Sequence, residues 1–287
     1  MRDRATGRLF AERVFGEGQL GFLYGTRRGR ALLRLIATRS FSALYGLGAR
    51  SGRSRARIAG FVESLGIDPS EAERPLEEYR TLDEFFTRRL RPGARPVDED
   101  PDHLVSPADG RALAWEALPE RIEVKGSRAD LARLLGDREL ARRYAGGAGL
   151  LVRLAPADYH RFHFPDAGVA GPPRTLGGPL HSVHPIALAA GAPSLLNRRV
   201  VTRLESRGFG PVLLVEVGAL VVGTIVQTHA PGPVARGQEK GTFRFGGSTV
   251  IALLEPGRVR WDEDLLASTR EGVETLVRMG TRVGVRP

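Results

Sequence analysis

Phe243-Arg244-Phe245-Gly246-Gly247-Ser248-Thr249-Val250-Ile251 joins two strand-like runs through a pair of glycines. The phenylalanines alternate with a polar residue, as in a half-buried strand, and β-branched residues follow Ser248. Because glycine tolerates conformations and close approaches that other residues do not, the pair predicts a sharp turn before the chain returns to strand. The Ser248 hydroxyl can then reach the carbonyl of Gly247, which puts a nucleophile beside its own peptide bond. An ordinary β-turn is the alternative interpretation of these residues.

The composition restricts the chemistry that the chain can perform. A chain of 287 residues can bury a sizeable core, as one large domain or as a domain with an appendage. It contains no cysteine, which excludes disulfide bonds, thiolate catalysis and cysteine-ligated metals. The longest apolar run, Val212–Val226, is interrupted by glutamate and glycines and predicts two strands, since a spanning helix needs about 20 apolar residues. We therefore expect neither a transmembrane segment nor a signal peptide.

The positive charge is concentrated at the N-terminus. Residues 1–60 contain thirteen arginines against three acidic residues, an excess that equals the formal net charge of the whole chain, +10. An apolar surface at helical spacing lies in the same region, formed by Leu32, Leu33, Ile36, Leu44 and Leu47, with Leu35, Phe41 and Tyr45 extending it. This pattern predicts a basic helical region on an anionic membrane surface, where each arginine contributes about 1 kcal/mol. A nucleic-acid arm or an arginine-rich transit peptide would look similar, although we expect no nucleic-acid partner.

Helix signals end near residue 95, and strand signals dominate beyond it. Asp68 before Pro69 is typical of a helix start, and Thr81 with Glu84 forms a capping box before Phe85. Further on, we predict a strand at Leu150–Leu154 and short helices at Ser127–Leu135 and Arg270–Met279. The fold class is therefore α+β. We expect residues 1–95 to form a basic, helical, membrane-surface region with a linker, and residues 96–287 to form a β-rich body of the barrel or sandwich type.

Four of the six histidines lie within 25 residues, at His160, His163, His181 and His184. His160 and His163 would share one face of a helix and could bind a metal there. However, prolines bracket this stretch, and no cysteine or acidic cluster completes a ligand set, so we expect no metal.

Nucleophilic catalysis fits the residues better. A serine nucleophile needs a base, and the base needs a carboxylate that orients it. The candidates are Ser248, either His160 or His163, and Asp109 in the turn Ser106–Gly110. The chain lacks a Gly-x-Ser-x-Gly elbow around Ser248, so the nearest electrophile is the carbonyl of Gly247.

Five motifs, in order along the chain, resemble the phosphatidylserine decarboxylase family. They are FFTRRLRPGAR (Phe85–Arg95), SPADG (Ser106–Gly110), VKG (Val124–Gly126), DYHRFH (Asp158–His163) and FRFGGSTVI (Phe243–Ile251). The resemblance implies a proenzyme that cuts itself between Gly247 and Ser248, giving residues 1–247 and 248–287 as a heterodimer. It also implies that Ser248 becomes a covalent pyruvoyl cofactor.

The resemblance further implies a role for each candidate residue. Asp109 orients His163, His163 deprotonates Ser248, and His160 acts on the substrate. The pyruvoyl group forms a Schiff base with the amine of phosphatidylserine and accepts the electrons left when CO₂ departs. The product is phosphatidylethanolamine, and the enzyme is expected to be a peripheral protein on the cytoplasmic side of the cell membrane. Whether it forms homo-oligomers is left open.

One position departs from the family pattern. His184 stands where the resemblance implies asparagine, which would alter contacts with the lipid headgroup but not self-cleavage.

Two other functions compete with this one. A lipid-acting serine esterase would use the same serine, histidine and aspartate in an uncut chain. A biotinyl or lipoyl carrier would instead use Lys240 as its attachment site.

Overall fold

The computed structural model describes residues 1–11, 17–37, 47–119, 121–124, 127–182, 185–219, 224–244 and 248–287. Its helices are short, with bounds Glu17–Gly25, Arg27–Ile36, Ile58–Leu65, Leu82–Phe86, Leu131–Leu135, Arg138–Tyr144, Pro185–Ala189 and Glu263–Arg270. Residues 47–50 are also helical. Segments of 3₁₀ helix occur at Gly52–Arg57, Pro69–Glu71, Leu76–Glu78 and Ser194–Leu196.

Strands form most of the body. Their bounds are β1 Arg2–Asp3, β2 His103–Val105, β3 Gly110–Trp115, β4 Arg121–Val124, β5 Ser127–Asp130, β6 Ala148–Leu154, β7 Arg161–His163, β8 Gly168–Ala170, β9 Arg174–Leu176, β10 Arg199–Ser206, β11 Gly210–Val217, β12 Ile225–Gln227, β13 Gly232–Val234, β14 Glu239–Phe243, β15 Ser248–Leu254, β16 Arg260–Trp261, β17 Thr275–Val277 and β18 Arg282–Val285.

One large sheet dominates the described residues. Its ten strands follow the order β1-β17-β3-β6-β15-β11-β10-β8-β13, with β9 paired to β10. Smaller sheets combine β12-β14-β7, β16-β18-β2 and β4-β5. The predicted α+β class with a β-rich body is confirmed. The barrel alternative is wrong for the described strands, because the edge strands β1 and β13 do not pair with each other.

β15 lies at the centre of the large sheet, between β6 and β11, and all of its residues are buried. Alternate residues belong to two different hydrophobic clusters, Val250, Ala252 and Leu254 to one and Ile251 and Leu253 to the other. Because successive side chains point to opposite faces of a sheet, burial on both faces requires the continuous apolar run in the sequence. Ser248 is the first residue of this strand and lies opposite Leu154 of β6.

β7 and β14 bring the histidine motif beside the segment that precedes Ser248. The two strands pair antiparallel, with Arg161 opposite Thr242 and His163 opposite Glu239. The amide of Phe243 also donates to the carbonyl of His160 at 2.9 Å. Two motifs that are far apart in the sequence therefore meet at the end of β14.

Several local predictions are confirmed. Asp68 accepts a hydrogen bond from Ser70 N, and Thr81 Oγ1 accepts one from Glu84 N, so both predicted caps are present. Leu150–Leu154 lies within β6, and the apolar run from residue 212 to 226 overlaps β11 at its start and β12 at its end.

The predicted helix Ser127–Leu135 is wrong in part, and the predicted helix Arg270–Met279 is wrong beyond its first residue. The first half of Ser127–Leu135 is strand β5, which pairs with β4, and only Leu131–Leu135 is helical. The final helix ends at Arg270, and Thr275–Val277 is strand β17, paired with β3. Gly272, with φ near 69°, stops that helix in a conformation that other residues rarely adopt. In both cases the pairing of strands overrides the local helix preference.

The predicted N-terminal apolar surface divides between the interior and solvent. Leu33 is buried with Tyr24 in a small hydrophobic cluster, whereas Phe22, Leu32 and Leu47 are 48%, 43% and 59% exposed. Phe41, Leu44 and Tyr45 lie outside the described residues. In the described ranges, no helix has the length and apolar character needed to cross a bilayer. A membrane role for this region stays a prediction.

Candidate active site

Ser248 lies at the entrance to the central strand and is fully buried. Its Oγ is 3.4 Å from Nδ1 of His160, a long hydrogen bond. Phe245, Gly246 and Gly247 lie outside the described residues, and so does the predicted turn between them. The structure therefore brings Ser248 together with one of the two candidate histidines.

The tautomer of His160 follows from its second hydrogen bond. Nε2 lies 3.0 Å from the carbonyl oxygen of Ala155. A carbonyl oxygen only accepts, so Nε2 carries the proton and Nδ1 presents its lone pair to Ser248. The ring of Phe86 stacks on the imidazole, with centroids 3.9 Å apart and planes 24° apart. The helix Leu82–Phe86 thus covers the site and restrains the ring.

The surroundings of His160 keep it neutral. Burial, first, and then the positive charge of Arg88 lower its pKa to about 3, and Arg111 acts in the same direction. The hydrogen bond to Ala155 O opposes this decrease but does not reverse it. At neutral pH, His160 is therefore an acceptor toward Ser248 and resists protonation.

A turn before His160 fixes the position of that carbonyl. Ala155 O also accepts from Asp158 N at 2.9 Å, and Asp158 Oδ2 accepts from Ala155 N at 2.6 Å. Arg111 of β3 donates to the same carboxylate oxygen. The sequence places Asp158 in the DYHRFH motif but does not predict a role for it. In the structure it holds the turn that orients His160.

His163 occupies a neighbouring but separate environment. Its amide donates to Pro107 O at 2.7 Å, and its ring lies 5.6 Å from that of Tyr159. Nδ1 is buried without a hydrogen-bond partner among the described residues. Burial lowers the pKa of His163 to about 4, and the charge of Glu239 opposes that decrease. In the described part of the chain, His163 bonds neither to Asp109 nor to Ser248.

Asp109 is held by an arginine of the front segment, which is defined here as residues 68–95. Arg95 Nε lies 3.0 and 2.9 Å from Oδ1 and Oδ2 of Asp109, and Nη2 lies 2.7 Å from Oδ2. The amide of Met279 donates to Oδ1 at 2.8 Å. Burial raises the pKa of Asp109 above its usual value, and Arg95 opposes that rise. The sequence identified Asp109 as a candidate but not its partner.

Lys240 is buried and ion-paired. Its Nζ lies 3.0 Å from Glu216 Oε2 and 2.6 Å from Gln227 Oε1, and its side chain is 1% exposed. Burial lowers the pKa of this lysine. A carrier protein must present its lysine to other enzymes, so this arrangement argues against the carrier alternative.

The remaining residues of the motifs are described only in part. His181 donates its amide to Asn197 Oδ1, whereas Lys125, Gly126 and His184 lie outside the described residues. No group of three or more histidine, aspartate or glutamate side chains in the described ranges is arranged to hold a metal ion.

Comparison with known proteins gives a consistent result along nearly the whole chain. A family model described as phosphatidylserine decarboxylase matches residues 82–285. A phosphatidylserine decarboxylase proenzyme of Ruminiclostridium cellulolyticum is 42% identical, over 98% of this chain and 96% of the relative. Proenzymes of the same name from Chlamydia caviae and Chlamydia trachomatis are 43% and 42% identical, over 98% and 99% of this chain and 96% of each relative. The chain belongs to the phosphatidylserine decarboxylase family.

Proposed function

We propose that this chain is a self-cleaving decarboxylase that converts phosphatidylserine to phosphatidylethanolamine and CO₂ with a pyruvoyl group made from Ser248. The observation that carries the proposal is the buried Ser248 hydroxyl, 3.4 Å from the unprotonated nitrogen of His160. The substrate follows from the family, and the name proenzyme of its relatives supports self-processing.

The environment of Ser248 suits a pyruvoyl group. Ser248 and His160 are both fully buried, and Phe86 covers the imidazole, so bulk water is kept from the reacting atoms. A pyruvoyl group supplies a conjugated carbonyl that stabilises the electrons released by decarboxylation. His160 lies next to the side chain from which that group would be made, and it would hold or transfer a proton there.

Self-cleavage needs Ser248 Oγ to attack the carbonyl carbon of Gly247 while a base takes the hydroxyl proton. The peptide C–N bond then breaks, the nitrogen of Ser248 takes a proton, and an ester joins Gly247 to Ser248 Oγ. Loss of the Ser248 Cα proton breaks the Cβ–O bond and releases Gly247 as a carboxylate. Addition of water and loss of ammonia leave the pyruvoyl group.

We assign the deprotonation of Ser248 to His163, supported by Asp109, and a later role on the substrate to His160. His163 has an unpartnered buried Nδ1, and Glu239 favours its protonated form although Arg161 acts in the opposite direction. His160 is the nearer histidine, but Arg88 and Arg111 both oppose a positive charge on its ring. The assignment requires His163 to come closer to Ser248 during self-cleavage than it lies in this structure.

The first test is the mass of the purified protein. We expect two fragments, residues 1–247 and 248–287, and a small fragment whose amino terminus is blocked because its first residue is a keto acid. Intact-mass spectrometry and Edman degradation measure both properties. A readable Ser-Thr-Val terminus would mean cleavage without pyruvoyl formation. A single uncut chain that is active on lipid would instead support the serine esterase.

We also propose that residues 1–95 form the membrane-facing part of the protein and that residues 96–287 form the decarboxylase body. Exposed arginines, including Arg27, Arg28 and Arg53, lie near the exposed Phe22 and Leu47 in the sequence. Not all of the N-terminal charge is free, because Arg2 and Arg4 pair with acidic residues of the body. A peripheral position on an anionic, cytoplasmic membrane surface follows from this proposal.

Flotation with liposomes tests the membrane proposal on the full chain, because deletion of residues 1–60 would also remove β1 from the large sheet. We expect the double exchange Arg27→Gln and Arg28→Gln to reduce flotation with anionic vesicles several-fold. Rising salt should weaken wild-type binding, since the Debye length falls from about 10 Å at 0.1 M to about 3 Å at 1 M. Arg207→Gln with Arg260→Gln is the matched control on the body. Equal flotation of both double variants would contradict the proposal.

A further inference from the structure

One guanidinium joins the front segment to a proposed active-site carboxylate. Arg95 uses Nε and Nη2 to bind Asp109, and it uses Nη1 and Nη2 to bind Glu71 at 2.9 and 2.8 Å. The side chains of Arg95 and Asp109 are each 8% exposed. A planar guanidinium suits this bridge because its donors form a fixed fork that matches two carboxylates at once.

Arg95 is the direct cationic partner of Asp109 in the described ranges. Among the described residues, the amide of Met279 also donates to that carboxylate. Three other charged or titratable groups interact electrostatically with Asp109, namely Asp158, Arg88 and Tyr159. Asp158 is engaged by Arg111, and Arg88 bonds to carbonyl oxygens rather than to Asp109. Among the charged groups near Asp109, Arg95 therefore fixes its position most directly and opposes most strongly the larger effect of burial on its pKa.

Glu71 competes for the same guanidinium from a short, capped segment. It ends the 3₁₀ turn Pro69–Glu71, and its carbonyl accepts from Arg91 N at 3.0 Å. Its side chain is 25% exposed, and Arg278 lies 3.7 Å away as a weaker partner. Any movement of this turn against the body would change how Arg95 is shared between the two carboxylates.

We propose that Arg95 is a positioning residue for self-cleavage, which fixes the Asp109 carboxylate, and that Glu71 of the front segment modulates it by sharing the same guanidinium. The inference rests on the proposed function, in which Asp109 takes part in self-cleavage. Under this proposal, the front segment must be docked on the body for efficient self-cleavage.

The two partners should act in opposite directions. Burial raises the pKa of Asp109 and Arg95 opposes this, so loss of Arg95 raises that pKa further. A larger fraction of Asp109 is then protonated at a given pH, so its contribution to cleavage moves to higher pH. Loss of the Glu71 charge leaves Asp109 as the one carboxylate that Arg95 binds among the described residues. The pKa of Asp109 should then fall, so cleavage should extend to lower pH.

Cell-free synthesis allows the appearance of the two fragments to be followed from pH 5 to pH 9. We expect Arg95→Met to slow cleavage about tenfold or more at pH 7, with recovery toward pH 9, since each pKa unit changes the ionised fraction about tenfold. Arg95→Lys should restore part of the rate, and Glu71→Gln should shift the profile to lower pH. Arg91→Met, an exposed arginine of the same segment, is the matched control.

Slow cleavage of Arg95→Met at every pH, or an unshifted profile in either variant, would overturn the inference. If the wild-type chain does not cleave, the proposed function fails, but the role of Arg95 can still be tested by a second measurement. In a Ser248→Ala chain labelled with ¹³C at aspartate Cγ, the Asp109 resonance is identified by its loss in Asp109→Asn. An upward shift of its titration in Arg95→Met is expected, and an unchanged titration would again overturn the inference.

Discussion

Ser248→Ala is expected to yield a single chain of full mass with no detectable decarboxylase activity. Without Oγ there is no nucleophile to attack Gly247, and without cleavage there is no pyruvoyl carbonyl to accept electrons. The loss should be complete rather than partial, because one atom serves both maturation and catalysis. Intact-mass spectrometry and the release of ¹⁴CO₂ from carboxyl-labelled phosphatidylserine measure the two effects.

A buried serine elsewhere provides the control for that experiment. Ser268 is fully buried, and its Oγ donates to Asp264 O within the helix Glu263–Arg270. Ser268→Ala should therefore be cut and active, with at most a modest loss of stability. If Ser248→Ala still released the small fragment or retained activity, the proposed route to the cofactor would be wrong.

His163→Ala is expected to accumulate uncut chain, whereas His160→Ala should be cut at nearly the wild-type yield and decarboxylate poorly. A positioned base contributes about 10²–10⁴-fold to a rate, so both losses should be large but should appear in different assays. Nδ1 of His163 has no hydrogen-bond partner among the described residues and is available to accept a proton, and Glu239 opposes the lowering of its pKa by burial and Arg161. Denaturing gels measure cleavage, and CO₂ release per cleaved molecule measures decarboxylation.

The reverse pattern would give the base to His160. Its Nδ1 is the nitrogen within 3.4 Å of Ser248 Oγ, and its tautomer suits that role. His103→Ala controls for the loss of an imidazole, since His103 bonds to Asp98, outside the proposed catalytic set. Cleavage of both site variants at the wild-type yield would exclude both histidines as the base.

The sequence predicts local features well because their causes are local. A threonine followed three residues later by glutamate caps a helix wherever it occurs, and Thr81 does so here. An unbroken apolar run after Ser248 predicts a strand buried on both faces, as β15 is. The motif that contains His160 likewise pointed to the neighbourhood of Ser248, although only the fold distinguishes it from His163.

Features that depend on long-range pairing were not predicted. Arg95 is one of many arginines in the chain, and only the packing of the front segment shows that it holds Asp109. The burial of Lys240 depends on Glu216 from another strand, so its sequence context alone left the carrier alternative open. Ser127–Asp130 became strand because β4 pairs with it, a partner that helical spacing does not reveal.

The position of β15 also determines what cleavage would do to the molecule. The segment 248–287 provides the central strand, pairs β17 with β3 and β18 with β2, and adds the helix Glu263–Arg270. Its separation would require rupture of the large sheet, so the two fragments would remain one cooperative folding unit. Dilution would not separate the two fragments, although no covalent bond would link them. Exchange of fragments between molecules would be as slow as global unfolding, so maturation would be irreversible.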